Sequence, residues 1–255
     1  MKKVLNAENP FGLDRYGFLW ETLFLLNKKG RHLDYGTNDG TTLKKLSMSG
    51  VIKEGVGVDL NISAINSANV TQENISLIAI KKGARLPFED NSFDTISILD
   101  VIEHIYDQKS VLLELNRILK TNGKIIITVP RKHIFSFLDL GNYKFIFPRL
   151  HKIMYQLKNS KELYHKRYIK CENGLFGDIE KEKMWHQHFS NKELSTLLKE
   201  CGFTPIDFDG SGLFVRPLSL FSILFPFTKP IICKIRAMDC KMFAHAHLFC
   251  LAKKQ

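Results

Sequence analysis

RHLDYGTNDG, residues 31–40, joins a short apolar run to two glycines, and a helical pattern begins directly after it at Thr41. Gly36 permits a sharp turn after a strand, and Gly40 lets the start of a helix approach a ligand closely. A second run, GVGVDL at 55–60, carries Asp59 near its end, about 20 residues after the turn, where a carboxylate accepts hydrogen bonds from ribose hydroxyls. The glycine turn by itself could be purely structural, so the argument depends on both segments.

Short apolar runs continue to alternate with helical patterns along the chain. This rhythm is typical of a parallel sheet covered by helices on both faces. The third to fifth runs are continuously apolar, which favours central strands over edge strands. We therefore predict an α/β fold, a Rossmann-like seven-stranded and mostly parallel sheet with helices on both faces. The predicted strands are 31–36, 55–60, 75–80, 95–100, 124–129, 203–208 and 247–252.

The pattern predicts a single domain over residues 1–255 with elaborations on one core. Ser190 and Glu193 fit a capping box at the start of a helix that ends near Cys201 and Gly202. The parts are an N-terminal cap helix within 1–30, a cofactor-binding core at 31–130, a basic and aromatic insertion over the active face at 131–185, and the rest of the core at 186–255, which holds an apolar insertion at 213–235.

The composition indicates the kind of binding partner that the protein could have, but it does not identify one. The formal charge of +11 predicts attraction to something anionic, such as nucleic acid, a phosphorylated metabolite or an acidic membrane surface, although it also fits a merely soluble protein. The five cysteines contain no C-x-x-C pair, so neither a disulfide framework nor a zinc ribbon is indicated. With no export signal visible at the N-terminus, we expect a cytoplasmic protein.

Three further segments complete a resemblance to a known family. They read LPFEDNSFD at 86–94, DVIEHI at 100–105 and RILKTNGK at 117–124. Together with the glycine turn and Asp59, they resemble class I S-adenosylmethionine-dependent methyltransferases, particularly the ubiquinone/menaquinone-type and small-molecule O-methyltransferases. The resemblance is good over 31–130 and weak beyond, and the segment at 86–94 is its most specific part. It implies S-adenosyl-L-methionine as the cofactor.

The resemblance also implies which residues hold that cofactor. One group would surround the methionine portion, Asp59 would hold the ribose, Leu60 and a later loop would border the adenine, and Asp100 would close the site near the sulfonium. Lys82 stands where many relatives carry an acidic residue that receives the adenine amino group. The implied cofactor residues are Asp34, Gly36, Thr37, Gly40, Asp59, Leu60, Gly83, Ala84, Arg85 and Asp100.

A Rossmann dehydrogenase is the structural rival, because it too joins a glycine turn to a ribose-binding carboxylate. Here Asn38 occupies the second glycine position of that motif. A side chain there would crowd a pyrophosphate against the start of the helix, but it is compatible with a cofactor that lacks phosphates. The sequence therefore favours the methyltransferase.

A hydroxyl acceptor would need a general base, and histidine suits that role near neutral pH. Four histidines follow elements whose carboxyl ends should face the cofactor, namely His104, His133, His186 and His188. Each could equally be structural, but relatives often carry a histidine just ahead of the helix at 190, so we expect His188 to be the base. Asp100, Glu103 and His104 could hold a divalent ion, but Glu103 and His104 also serve as an ordinary helix start, and we assign no metal.

Residues 213–235 suggest what the acceptor is like. The segment is strongly apolar, but prolines break it and its charged flanks bracket too short a stretch to cross a bilayer of about 30 Å. It could be a buried insertion, a flap over the substrate pocket, or an interfacial segment that makes peripheral contact with the inner membrane face. Our hypothesis is O-methylation of a small or amphiphilic acceptor, such as a quinone precursor, a lipid or a lipid-linked sugar.

Two alternatives stay open. RNA methylation is one, because Lys166, Arg167 and Lys170 in the basic insertion could follow phosphates; however, the segment after strand four lacks the proline-containing motif of many amino-group methyltransferases. A catalytically silent subunit that binds a cofactor or a partner is the other, because fold resemblance does not prove activity. The sequence does not predict the oligomeric state.

Overall fold

The computed structural model describes residues 15–27, 29–132, 147–157, 159–165, 187–212, 214, 218, 221–222, 225–242 and 247–255. Its centre is one seven-stranded sheet with the strand order β3-β2-β1-β4-β5-β7-β6. The strands are β1 (Arg31–Tyr35), β2 (Glu54–Asp59), β3 (Ile75–Ala79), β4 (Phe93–Leu99), β5 (Leu119–Pro130), β6 (Phe203–Asp209) and β7 (His247–Lys254). The predicted α/β, Rossmann-like fold is confirmed.

The first five strands are parallel, and β7 runs antiparallel to both of its neighbours, β5 and β6. The chain passes from β1 to β2 on one side and returns across β1 to place β4 on the other side. Open α/β sheets bind ligands at such a reversal, outside the carboxyl ends of the strands. The fold therefore places its crevice beside the carboxyl ends of β1, β2 and β4.

Helices cover both faces of the sheet. The predicted capping box is confirmed, since the Ser190 amide donates to Glu193 Oε2 at 2.7 Å and the Glu193 amide donates to Ser190 Oγ at 3.2 Å. The α-helices are α1 (Arg15–Leu26), α2 (Thr41–Met48), α3 (Ile62–Asn66), α4 (Gln108–Ile118), α5 (Pro148–Gln156), α6 (Lys161–Tyr164), α7 (Asn191–Glu200) and α8 (Lys229–Met242), with 3-10 turns at Ile102–His104 and Pro226–Thr228.

The core has two parts, one on each face of the sheet. Apolar residues of α4 and α7 pack against one face, where Ile125 and Ile127 of β5 meet them. Residues of α1 and α2 cover the other face, where Ile126 lies between them and Phe249 of β7 stacks on Phe18 at 5.1 Å. Alternate residues of β5 therefore pack into opposite clusters, because successive side chains of a strand point to opposite faces of the sheet and this strand is buried on both.

One strand prediction is wrong in its position. The third apolar run was expected to be a central strand, but β3 is at the edge of the sheet. Ile75 and Leu77 pack against the cluster of α1 and α2, and Ile78 and Ile80 pack against the cluster of α4 and α7. Because apolar clusters flank even this edge strand on both faces, its composition resembles that of a central strand.

The two predicted insertions are described in part. Within 131–185, α5 and α6 pack together through the rings of His151, Tyr155 and Tyr164, and Tyr164 is buried. Within 213–235, Phe227 and Ile231 are among several exposed apolar residues, and α8 continues seven residues beyond the predicted end of the insertion. No helix in the described part of the chain is long and apolar enough to cross a membrane.

Two adjacent leucines of α4 test the assignment of its buried face. Leu112 is fully buried, whereas Leu113 is 53% exposed. We expect Leu112→Ala to lower the free energy of unfolding by about 2–5 kcal/mol, because it leaves a cavity in a close-packed core. Leu113→Ala should change it by no more than about 0.5 kcal/mol. Urea denaturation followed by circular dichroism measures both, and equal losses would contradict the packing of α4.

Candidate active site at the carboxyl edge of the sheet

The turn after β1 is anchored on β2. The amides of Gly36 and Thr37 donate to the carbonyl of Val58 at 2.8 and 3.2 Å. Gly36 has φ +85°, and a Cβ there would meet the side chain of Val101. The glycine therefore lets the end of β1 approach the residues that follow β4, and the turn opens toward the crevice between them.

Gly40 is the N-cap of the helix that follows the turn. Its φ is +72°, and a Cβ would lie 2.9 Å from the side chain of Leu77 on β3. The need for glycine is therefore explained by backbone conformation and by packing on the neighbouring strand. The close approach of a ligand to Gly40 stays a prediction.

Asp59 ends β2 and holds two turns together. Its Oδ2 accepts the amide of Asn38 at 2.7 Å, and its Oδ1 accepts the amide of Asn61 at 2.8 Å. A carboxylate has about four acceptor positions, so two remain for other donors such as the hydroxyls of a ribose. The side chain thus shapes the turn after β1 and also keeps acceptor capacity toward the crevice.

A cavity of about 290 Å³ lies at this edge, close to the lower end of the range of roughly 300–1,000 Å³ for small-molecule sites. Four of the predicted cofactor residues line it, Gly36, Asp59, Leu60 and Gly83. The lining is mainly apolar, as an adenine slot requires, and Asp59 supplies a carboxylate beside it. The other lining residues are Tyr35, Val58, Ile80, Lys82, Val101, Ile105, Tyr106, Asp107, Ser110 and Val111.

Sequence reasoning missed the part of the cavity that comes from the loop after β4 and the start of α4. Tyr106, Asp107, Ser110 and Val111 belong to it. Asp107 caps α4, because its carboxylate accepts two hydrogen bonds from Ser110, one from the amide at 3.1 Å and one from the hydroxyl at 2.6 Å. The available signal was this local cap directly after the motif at 100–105, which predicts a helix start beside a strand end.

Two predicted adenine-edge residues lie outside the cavity lining, Ala84 and Arg85. The side chain of Arg85 is 72% exposed and lies 3.5 Å from Asp90. Lys82, which stands where many relatives have an acid, does line the cavity, and the space next to Gly83 is open. Contacts to an adenine on this side would therefore come from the backbone and from the Lys82 side chain.

Asp34 lies beneath the turn in a buried polar network. Ser97 Oγ is 2.6 Å from Asp34 Oδ1, and the His32 imidazole lies between Ser97 Oγ at 3.0 Å and Thr95 Oγ1 at 2.8 Å. Burial raises the pKa of Asp34 and lowers the pKa of His32 to about 3. Neither Asp34 nor Thr37 lines this cavity, and their contact with the methionine portion of a cofactor stays a prediction.

Asp100 turns to the α1 side of the sheet and is not part of the cavity lining. Its carboxylate accepts the Thr128 hydroxyl at 2.6 Å, pairs with Arg15 of α1, and lies 3.8 Å from His247 Nδ1. Burial alone would raise the pKa of Asp100, but the contact with His247 and the charge of Arg15 hold it well below its usual range. Its φ of +52° directs the chain away from the strand.

The predicted base candidates have different positions. His104 ends the 3-10 turn after β4, with its Nε2 3.9 Å from Oε1 of the fully buried Glu103. His188 is half-buried in the segment next to the end of β5, where the Phe189 amide donates to the Pro130 carbonyl at 2.9 Å. His133 and His186 lie outside the described residues.

His247 is a candidate that the sequence did not suggest. It begins β7 opposite Pro130, at the carboxyl end of β5. No local motif surrounds it, and only the antiparallel pairing of β7 brings it to this edge.

The metal alternative is not supported by the positions of its proposed ligands. Asp100 faces Thr128, Arg15 and His247, whereas Glu103 is buried in the 3-10 turn. Within the described ranges, no three His, Cys, Asp or Glu side chains are grouped in a way that could hold an ion.

Known proteins resemble this chain in sequence and in fold. The methyltransferase domain family matches residues 14–207. An uncharacterized protein of Methanocaldococcus jannaschii is 29% identical over 178 residues, which are 70% of this chain and 66% of that protein. A ubiquinone/menaquinone biosynthesis C-methyltransferase of Rickettsia bellii is 28% identical over 222 residues, 80% of this chain and 81% of the relative. An S-adenosylmethionine-dependent methyltransferase of Mesorhizobium loti superposes with a TM-score of 0.57 at 11% identity, covering 94% of this chain and 98% of its own.

Replacing Asp59 tests whether the cavity binds S-adenosylmethionine. We expect Asp59→Ala to weaken binding about 10- to 100-fold, because hydrogen bonds to a charged group contribute about 1.5–3 kcal/mol. Isothermal titration calorimetry with S-adenosylmethionine measures the affinity of each variant.

Asp94→Ala is the matched control. Asp94 also accepts a backbone amide, from Arg31 at 2.9 Å, but at the amino end of β4. It should lower the melting temperature while the affinity for S-adenosylmethionine stays within about threefold. An equal loss of affinity in both variants would mean that Asp59 acts only through stability.

Proposed function

We propose that this chain, which belongs to the methyltransferase domain family, transfers a methyl group from S-adenosylmethionine to a hydroxyl of a small amphiphilic acceptor. The observation that supports methyl transfer is the cavity at the carboxyl ends of β1, β2 and β4, where the Gly36 turn and Asp59 meet an apolar slot. A phosphate-free cofactor suits this site, because Asn38 stands where a pyrophosphate would need a glycine.

The residues of the cavity have distinct tasks in this proposal. Asp59 would accept the ribose hydroxyls, and Leu60 and Ile105 would enclose the adenine between apolar surfaces. S-adenosylmethionine supplies an electrophilic methyl group on its sulfonium when it is bound. The protein then has to orient the acceptor in line with that methyl group and exclude water, and such positioning can supply roughly 7–11 kcal/mol of the barrier.

The Rickettsia relative supports a second candidate reaction. Its name describes a C-methyltransferase of ubiquinone and menaquinone biosynthesis. A phenolic quinone precursor carries both a hydroxyl and a nucleophilic ring carbon, and losing the hydroxyl proton activates either atom. The two reactions therefore share the need for a base, and they differ in which atom faces the methyl group.

An amphiphilic acceptor is supported by exposed apolar residues near the C-terminus of the fold. Phe225, Phe227, Ile231 and Ile235 expose between 42% and 82% of their surface, although Ile232 beside them is buried. Lys229 and Lys234 are exposed within the same stretch. Apolar side chains flanked by cations are typical of segments that lie in the headgroup region of an anionic bilayer, so we assign peripheral membrane contact to residues 225–235.

Methyl transfer can be tested with an acceptor of this class. We expect the protein to convert S-adenosylmethionine to S-adenosylhomocysteine when 4-octylcatechol is supplied in mixed micelles, and to react much more slowly with catechol, which lacks the alkyl chain. Liquid chromatography with mass spectrometry measures both products, and fragmentation distinguishes an O-methyl from a C-methyl group. Equal turnover of catechol and 4-octylcatechol would contradict the preference for amphiphilic acceptors.

Membrane contact is tested separately by flotation with vesicles that contain anionic phospholipid at low salt. We expect Phe227→Ser/Ile231→Ser to lower the vesicle-bound fraction at least fivefold, because about 1.5–3 kcal/mol of burial is lost with each large apolar side chain. The control is Met48→Ser/Leu113→Ser, which removes two other exposed apolar side chains, from α2 and α4. A wild-type protein that stays entirely in solution would contradict the membrane contact.

A further inference from the structure

Four side chains from four elements meet on the α1 side of the sheet's carboxyl edge. Asp100 follows β4, Thr128 belongs to β5, His247 begins β7, and Arg15 begins α1. Thr128 Oγ1 donates to Asp100 Oδ1 at 2.6 Å, whereas Asp100 Oδ2 faces both Arg15 and His247 Nδ1. One carboxylate is thus held by a hydroxyl and a guanidinium while it faces an imidazole.

One member of this cluster, Asp100, follows β4, the strand next to β1 in the sheet. In the sheet order, β1 is followed by β4, β5 and β7, with neighbouring strands about 4.8 Å apart. Because β7 is antiparallel to β5, its first residue lies opposite Pro130 at the carboxyl end of β5. His247 is therefore two strand positions from β4 and three from β1, on the edge where the turn at Gly36 opens.

We propose that His247 is the base that accepts the proton of the acceptor hydroxyl, and that Asp100 is the positioning residue that orients its imidazole. This inference rests on the proposed methyl transfer and adds the residue that activates the acceptor. It differs from the sequence-based expectation, which named His188.

The orientation of the imidazole supports this role. A carboxylate can only accept hydrogen bonds, so an Nδ1 that bonds to Asp100 would carry the proton, and a neutral imidazole would then have its lone pair on Nε2. The separation of 3.8 Å is longer than a formed hydrogen bond. Catalytic pairs are often this long before the substrate binds, and they shorten in the complex.

The surroundings allow the proton to arrive and to leave. His247 is 23% exposed at its side chain, and its ring lies 6.5 Å from that of Phe249. Among the described residues of this cluster, the charged group that faces the imidazole is Asp100, and Arg15 of α1 pairs with the same carboxylate.

The chemical step balances with these groups alone. The acceptor oxygen forms a bond to the methyl carbon while the carbon–sulfur bond breaks. The electron pair of the broken bond stays on sulfur. The hydroxyl proton passes to His247 Nε2 and then to solvent. Asp100 stays ionised throughout and stabilises the imidazolium that forms.

His188 occupies the other side of the end of β5. The carbonyls of Thr128 and Pro130 point to the same side of the strand, where the first accepts the Asp100 amide and the second accepts the Phe189 amide. Residues 187–189 therefore lie on the same side of β5 as β4, just beyond the point where β4 ends. His247 lies on the opposite side of β5, in β7. The two histidines flank the same strand end, and a comparison of their variants separates them.

The first test needs no acceptor. Nitrogen-15 NMR of the histidine rings in the wild-type protein, with the His247 signals identified by their loss in His247→Gln, reports which nitrogen carries the proton. We expect the Nδ1-protonated tautomer for neutral His247 and a loss of this preference in Asp100→Asn. A predominantly Nε2-protonated ring in the wild type would overturn the proposal.

The second test measures turnover with 4-octylcatechol and S-adenosylmethionine. We expect His247→Gln to lower kcat by about 10² to 10⁴, the usual contribution of a general base, and to leave the affinity for S-adenosylmethionine within threefold. Activity of the variant should rise with pH where that of the wild type reaches a plateau, because hydroxide replaces the missing base. His165→Gln, an exposed histidine after α6, is the matched control for the chemical change.

The outcomes separate the two proposals. If His247→Gln keeps its turnover, or if only His188→Gln loses it, His247 is not the base although methyl transfer stands. If the wild type shows the predicted tautomer and binds S-adenosylmethionine but methylates none of the hydroxyl acceptors, the proposed O-methylation fails, and the orientation of His247 by Asp100 is still established by the spectrum.

Discussion

The amides of Gly36 and Thr37 both donate to the carbonyl of Val58, and much of the site depends on this contact between the ends of two strands. This contact turns the chain away from the sheet directly after β1 ends at Tyr35, whereas β2 continues to Asp59. The positive φ of Gly36 allows the turn to pass beside Val101 after β4. Asp59 then ties the next amide of the turn to β2 through Asn38. The ends of three strands are thereby held around one cavity.

The polar residues beneath the turn are compatible with a dry interior because they satisfy one another. His32 lies between two hydroxyls, and burial lowers its pKa to about 3, so that it is neutral at physiological pH. Ser97 connects it to Asp34 at the base of the turn. A buried network of this kind stabilises a structure only when its members are paired, and then it fixes the local geometry. Here it connects β1 to β4 beneath the residues that shape the cavity.

The two faces of the sheet contribute differently at the carboxyl edge. The cavity is lined by Val58, Val101 and Ile105, which belong to the cluster of α4 and α7. Asp100 and Thr128 lie on the α1 side, together with Arg15. In the two proposals, the adenosine part of the cofactor lies on the first side of the strand ends, and the base that activates the acceptor approaches from the second.

The sequence by itself determined the features that are local. Strand and helix periods, the glycine turn, Asp59 at the end of β2 and the capping box of α7 are visible over short windows, because backbone conformation and amphipathic pattern repeat every few residues. The tertiary structure decided the rest. It put β3 at an edge, directed Asp100 toward Arg15, and brought His247 beside the end of β5. These outcomes depend on which strands pair and in which direction, and such long-range pairing leaves no mark in the residues on either side.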